Sequence, residues 1–525
     1  MNKKWFSALT VVFLSLVFML LLEAILQTVG FGKNFDFVIE GKLPDKAEKS
    51  SLNSQYIALH YFHHLPVKLS SIFSDDPWFE DTEFSHPKSP GVYRIFLVGA
   101  STTRGFPFSR RKMSYGGFME EILHDVLPDH KIEVINAGYD ALSSFGVLDV
   151  VRQIIDQSPD LIIVYSGHNE FIGHFGVNST VNLGQNRFLI TTIQRLHTSR
   201  LFLLNELALL KLKSFGKPDP SRNSGINLFK VMLRKDKFHW TAREHEASEK
   251  NFERNLQAIA DLGRRKGVDI VFSTLVSNWK DFSPLRSELD PRLSPGDRRA
   301  LIIHLQNGLK ALHNKNFKEG VRMVKKSLAL DPKYAFSHYE LGRGLEMQGD
   351  YSRARDEYLK AREWDRVHLR GCLTFNRIIR RVGERNHDLV IDMGKEFEQA
   401  SAHGLVGNNF FLEHVHPNIN GHLIMADAIV HSLSRYGYIE PRDHWQWRRM
   451  HRAEEYVRHL GFDRKEYVHA RATVGRLLLD FPFYRCREGR EMLDSVGRAN
   501  AEKKLIDSCF QVTASREFAV ATLPE

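Results

Sequence analysis

The chain has only three cysteines in 525 residues: Cys372, Cys486 and Cys509. They stand at no metal-ligand spacing, and an odd count does not describe a disulfide framework. A zinc module and a small disulfide-stapled fold are therefore excluded. A Cys486–Cys509 bridge stays open for a domain that is exported. No lipid-accepting cysteine follows the N-terminal apolar run. A concentrated basic tract is also missing. The 73 Lys and Arg against 63 Asp and Glu give a net charge of +10, spread along the chain with no nucleic-acid-binding motif. That excess favours anionic surfaces such as phospholipid headgroups or acidic polysaccharide. A second long apolar run is absent too, and the mean hydropathy of −0.32 argues against a polytopic membrane protein. What is present suffices for a globular core: 42% of the residues are hydrophobic. The length suggests roughly two to four domains.

Lys3 and Lys4 precede an unbroken apolar run from Trp5 to Leu22, interrupted by Glu23 and extended by Ala24-Ile25-Leu26. A run of about 20 residues crosses a bilayer, and a secretory apolar region is usually shorter. No small-x-small cleavage site follows cleanly. Residues 1–30 therefore read as an uncleaved signal anchor, with a cleaved signal peptide as the alternative. Lysines on the short side place the N-terminus in the cytoplasm and the rest outside. Residues 31–90, mixed in Pro, Ser and aromatics, read as a membrane-proximal linker.

From Val92 onward strands and helices alternate. Ile95–Val98, Ile132–Ile135, Leu161–Tyr165, Ile270–Thr274 and Leu389–Asp392 read as strands. Gly116–Leu127, Val147–Gln157 and Glu249–Lys266 read as helices, the last stopped by Gly267. This alternation predicts an α/β fold, with a parallel sheet covered on both faces and ligands bound at the strands' carboxyl ends. The sheet domain divides into residues 91–290 and 372–436, and Phe375–Arg380 reads as a helix returning to it.

Two insertions interrupt that domain. Residues 177–247 carry an apolar helical stretch, Leu201–Leu212, followed by basic residues with Pro218 and Pro220. Such a stretch serves as a lid, a substrate wall or a membrane-surface helix, or simply packs against the sheet domain; plain packing is the preferred expectation. Residues 298–368 contain an internal repeat. Gly308 and Gly342, Gly320 and Ala354, Ser327 and Ala361, and Asp331 and Asp365 are each 34 residues apart. This period, with small residues at packing positions and Pro332 after Asp331, marks a tetratricopeptide repeat. Such repeats usually bind peptides or proteins in a groove, though a helical spacer gives the same pattern. Residues 437–525 are helical in tendency, rich in Arg and aromatics, and carry no motif.

Four short segments carry chemistry: Val98-Gly99-Ala100-Ser101-Thr102, Asn136-Ala137-Gly138, Gly167-His168-Asn169-Glu170 and Glu413-His414-Val415-His416-Pro417-Asn418. A serine hydroxyl is a poor nucleophile until a neighbouring base, usually a His held by a third group, takes its proton. Ser101 ends a buried strand, and Gly99 lets the chain turn there. His416 is the candidate base, and Glu413, three residues earlier, is placed to hold its imidazole. Pro417 and Asn418 read as a helix start. Each residue has an ordinary reading by itself. Ser101 is placed like an N-cap, Gly138 like a turn residue, and Asn169 like the cap of a helix starting at Glu170.

Together and in this order, the four segments resemble the SGNH/GDSL hydrolase superfamily, whose conserved residues are Ser, Gly, Asn and His. The resemblance covers about Val92–Thr274 and Phe375–Leu433, without the first insertion. It is similar to bacterial membrane-anchored members that carry an inserted tetratricopeptide unit. It implies a three-layer α/β/α sandwich, attack by Ser101 on an ester carbonyl, and hydrolysis of the acyl-enzyme by water that His416 activates. The implied oxyanion donors are the backbone N–H groups of Ser101 and Gly138 and the side-chain amide of Asn169. No metal or organic cofactor is implied. The chain departs from the family in two places: its first block reads Gly99-Ala100-Ser101-Thr102 in place of Gly-Asp-Ser-Leu, and Glu413 stands where the family usually has Asp. The substrate is an ester, with acylated glycans and lipids both open. An O-acyltransferase with the same residues is one alternative, with a sugar hydroxyl replacing water. A repeat-based scaffold with a silent hydrolase fold is the other, and the intact Ser101, Gly138, Asn169 and His416 argue against it.

Overall fold

The computed structural model describes residues 3–42, 48–62, 82–180, 183, 185–214, 241–371 and 373–509. Pro218, Pro220 and Cys372 lie outside the described residues. The chain forms two compact units, Met1–Ser89 with Asn186–Ile226, and Pro90–Gln185 with Asn227–Glu525.

The first unit begins with one helix, Lys3–Thr28, whose Leu9–Thr28 stretch is long and apolar enough to cross a membrane. It continues into an antiparallel sheet of β1 (Val38–Lys42), β2 (Glu48–Leu52) and β3 (Thr82–Ser85). Phe37, Leu52, Tyr56, Leu59 and Tyr61 are buried. Residues 31–90 are thus more than the expected linker. The strand signal is hidden because β2 reads Glu-Lys-Ser-Ser-Leu, with Ser50 buried where an alternating pattern would place an apolar residue. Much of the first insertion belongs to this unit rather than to the sheet domain: helices Arg187–Leu196 and Arg200–Ser214 fall within it.

The second unit is built on a parallel sheet of β4 (Val92–Gly99), β5 (Lys131–Gly138), β6 (Leu161–Tyr165), β7 (Asp269–Ser273) and β8 (Leu389–Ile391), in the order β5-β4-β6-β7-β8. Ile95 to Val98 and all of β6 are fully buried, as strands covered on both faces must be. The chain runs outward from β4 to β5, then crosses back to β6 on the other side of β4. Ligands in such sheets bind where the winding reverses, beyond the strands' carboxyl ends, which here is the end of β4. Helices Tyr115–Val126, Ser144–Ile154, Ala242–Lys266 and Leu373–Asn386 connect or flank the strands. The Ala242–Lys266 helix starts seven residues before the expected Glu249. A capping box between Thr241 and Glu244 nucleates it early, and Gly267 ends it in the left-handed conformation.

Between β7 and the Leu373–Asn386 helix run four helices, Pro295–His313, Phe317–Leu330, Ala335–Met347 and Tyr351–Glu363. Gly308 lies against Val324, Gly320 against Leu312, and Gly342 against the Tyr358 ring, so the repeating small residues are where helices meet. The ends of this insertion are clasped together. The buried Asp365 carboxylate accepts from the N–H groups of Leu285 (2.9 Å) and Arg286 (3.1 Å) and pairs with Arg370 at 3.0 Å. Arg366 N–H donates to the Arg286 carbonyl at 3.0 Å. Toward the C-terminus, helices Arg464–Leu479 and Cys486–Asp494 pack on each other, and Cys486 is disulfide-bonded to Cys509.

Candidate active site

Beyond β4 the chain makes a single helical turn, Ser101–Arg104, closed by Gly105 with φ of +101°. The turn is wedged against the end of the neighbouring strand. A Cβ added to Gly138 would lie 2.8 Å from the Thr103 carbonyl carbon and closer still to the Arg104 nitrogen. Only glycine fits there, because the backbone itself occupies the space. Ser101 is partly exposed at the tip.

His416 reaches Ser101 from a loop 315 residues later, with Nε2 2.7 Å from Oγ. Its Nδ1 lies 2.5 Å from Glu413 Oε1. The same oxygen accepts from the backbone N–H of His416 at 2.8 Å and of Val415 at 3.3 Å. One carboxylate oxygen thus fixes the loop backbone and the ring together. The loop closes through Leu412 N–H to the His416 carbonyl and Asn418 N–H to the Phe410 carbonyl, both at 2.9 Å. Pro417 does not open the helix as expected. Asn418 is the N-cap, its side chain accepting from Gly421, and the helix runs Ile419–Arg435. Thr102 Oγ1 donates to the Val415 carbonyl at 3.4 Å, and the Phe106 ring packs 4.4 Å from the His416 ring, so both sides of the pair are braced.

Burial pushes the His416 pKa down to about 3, against the opposing field of Asp140 and with Arg104 adding to the drop. The ring is therefore neutral. With its Nδ1–H donating to Glu413 Oε1, Nε2 is an acceptor aimed at the Ser101 hydroxyl, which is the arrangement that can remove the serine proton. Glu413, His414 and His416 also bring three metal-type ligand atoms within 4.8 Å of one another. His416, however, has both nitrogens committed, to Glu413 and to Ser101. The set fits a proton relay better than a metal site.

The two remaining residues that the sequence singles out are placed less simply. Gly138 lies beside the Ser101 turn, but its N–H donates to Asn136 Oδ1 at 2.9 Å. Asn169 Nδ2 donates to the Leu142 carbonyl at 3.2 Å. Asn169 caps no helix, since Glu170 lies in a turn. Burial pushes the Glu170 pKa up to about 7, against its hydrogen bonds from the Ser144 hydroxyl and N–H, both 2.7 Å. His168 is buried and held neutral, with its pKa pushed down to about 3 by burial and then by His416 and Arg362. It accepts from Gly371 N–H at 2.9 Å.

No family model matches the chain, and no curated protein matches it. Among solved structures it is similar to LAE5, an alpha/beta hydrolase enzyme from the metagenome of Lake Arreo, Spain. The identity is 12% and the TM-score 0.30, covering 65% of this chain and 94% of that one. It is also similar to Axe2, an acetylxylan esterase from Geobacillus stearothermophilus, at 12% identity and a TM-score of 0.29, with the same coverage. Likenesses this distant carry no argument, and the site is read from its own geometry.

The residue that sequence reasoning passed over is Asn136. Its side chain donates to the Thr103 carbonyl (2.7 Å) and to Ser114 Oγ (2.9 Å) while accepting from Gly138. It ties the end of β5 to the Ser101 turn. It stands in the Asn136-Ala137-Gly138 segment, two residues before a glycine that ends a strand. An Asx-type bond at that spacing was the available signal.

Proposed function

We propose that the chain is a membrane-anchored serine esterase of the SGNH/GDSL type, acting outside the cytoplasm on ester bonds. The single observation that carries this reading is the continuous relay Ser101 Oγ–His416 Nε2 and His416 Nδ1–Glu413 Oε1, at 2.7 and 2.5 Å. His416 takes the Ser101 proton as Oγ bonds to the ester carbonyl carbon. The tetrahedral adduct collapses as the imidazolium returns that proton to the leaving alcohol. Water then repeats the sequence on the acyl-enzyme, releasing the acid and restoring Ser101.

The developing oxyanion needs preorganised donors. Asn169 Nδ2 carries two hydrogens. The one given to Leu142 orients the amide and leaves the second for the oxyanion. Gly138 has one hydrogen, already on Asn136, so it serves only by sharing or releasing that bond. In this reading Ser101 and Asn169 are the principal donors. The three-layer sandwich belongs to the same reading. So do the tetratricopeptide character of the four inserted helices and a protein partner bound there; these rest on the 34-residue period and the helix contacts at Gly308, Gly320 and Gly342.

A fluorophosphonate probe tests the assignment. The intact protein should gain one probe adduct by mass spectrometry. Ser101→Ala should gain none and lose about 10⁴–10⁶ in kcat toward p-nitrophenyl esters. Adduct formation on the Ala variant would sink the assignment.

A further inference from the structure

Glu23 is the only acidic residue in the Lys3–Thr28 helix. Its carboxylate accepts from Ser199 Oγ (2.8 Å), Arg200 N–H (2.9 Å) and Leu201 N–H (2.8 Å). An acid at a helix N-terminus satisfies the unpaired first-turn donors and the helix dipole. The Arg200–Ser214 helix therefore starts against the end of the apolar helix. Glu23 stands five residues before Thr28, about 8 Å along the axis.

The inner face of the Arg200–Ser214 helix is fixed. The Arg200 guanidinium grips both Asp36 oxygens, at 2.6 and 2.8 Å, Leu203 packs on Gly32, and Glu206 lies 3.0 Å from His60. Its outer face presents Leu204, Leu209 and Leu212, with Leu212 73% exposed. The preceding helix, Arg187–Leu196, buries Ile190 and Gln194 and presents Phe188, Leu189 and Leu196, with Phe188 80% exposed. Besides Arg200, which is paired with Asp36, residues 186–214 carry Arg187, Arg195, Lys211 and Lys213 against one acid, Glu206.

Six large apolar side chains on two adjacent helices are costly to leave in water. Apolar faces edged by cations suit the boundary between anionic headgroups and acyl chains. We propose that the outward faces of helices Arg187–Leu196 and Arg200–Ser214 lie in that boundary, on the bilayer that the Lys3–Thr28 helix crosses. The attachment through Glu23 puts them at the level where the crossing helix ends. The first insertion is then a membrane-resting element. The inference rests on the anchor reading and is independent of the esterase chemistry.

The test uses the full chain, with Cys372 changed to Ser, in phosphatidylcholine vesicles with and without phosphatidylglycerol. Single cysteines at Phe188, Leu209 and Leu212 carry a bimane fluorophore, and Ile303, an exposed side chain in the four inserted helices, is the control. Doxyl-labelled lipid should quench the three sites several-fold more than Ile303, and aqueous iodide should do the reverse. Phosphatidylglycerol should deepen the lipid quenching, and Arg187→Gln with Arg195→Gln should cancel that gain. Sites open to iodide overturn the proposal. Sites shielded from both quenchers also overturn it, because a protein rather than lipid then covers the face. A carbonate wash separates the two layers of argument. A chain that washes off has lost the anchor reading, whereas one that stays while its probes remain wet has lost only the interfacial one.

Discussion

Ser101 and His416 meet at 2.7 Å but are held by unlike structure. Ser101 rides on a turn jammed against a glycine at a strand end, where shape decides and the backbone leaves no room. His416 rides on a loop folded around one carboxylate oxygen, where charge and hydrogen bonding decide. The nucleophile side should therefore be sensitive to volume and the base side to chemistry at constant volume.

Glu413→Gln tests this most strongly. It keeps the shape but removes the charge and offers an amide that favours the wrong tautomer. A fall of about 10²–10⁴ in kcat is expected. A near-normal kcat would leave a Ser–His dyad and make the Glu413 contacts purely structural. Asn169→Ala comes next, with an expected drop of about 10²–10³ in kcat and little change in KM, since an oxyanion donor acts in the transition state. A change confined to KM would recast Asn169 as a substrate-binding residue.

Gly138→Ala sharpens the other half. The added methyl meets the backbone of Thr103 and Arg104. Overpacking of this kind costs about 1–3 kcal/mol, so thermal melting should drop by several degrees and kcat should fall with it. An unchanged melting temperature would mean that the turn is looser than the contacts imply. The smallest effect is one of pH. His416 is neutral above its folded pKa, which burial depresses to about 3. The active base form thus persists as pH falls through 6.5, and kcat/KM should stay level there. An acid limb near 6.5 would show that the ring is wetter, or more strongly paired with Glu413, than its burial suggests.

These contrasts bear on what could be read from the sequence. Strands with continuous apolar runs were legible in place; β6 matches Leu161–Tyr165 at both ends, whereas β4 starts three residues before the expected Ile95 and β5 ends three residues after the expected Ile135. Ser101, His416 and Glu413 stood out only through the order of the four segments together, each being ordinary alone, and the structure brings the three together. The Gly138 N–H was not, because Asn136, two residues earlier in the same strand, takes it in an Asx-type bond that the strand pattern of β5 masks. The β1–β3 sheet was missed because a buried serine carries no hydropathy signal. The first insertion was legible as helical, yet its attachment depends on Glu23, an acid near the end of an apolar run nearly 180 residues earlier.

The Asp365 clasp has a consequence for ancestry. The four inserted helices leave the sheet domain and return to it at one point, with the two chain segments of the junction joined through Leu285, Arg286, Asp365 and Arg366. A segment closed at its own base behaves as a cassette. It can lengthen by whole helix pairs, be exchanged, or be lost, while β7 and β8 keep their pairing. A lineage could in this way remodel the inserted helices while leaving the Ser101–His416 geometry untouched.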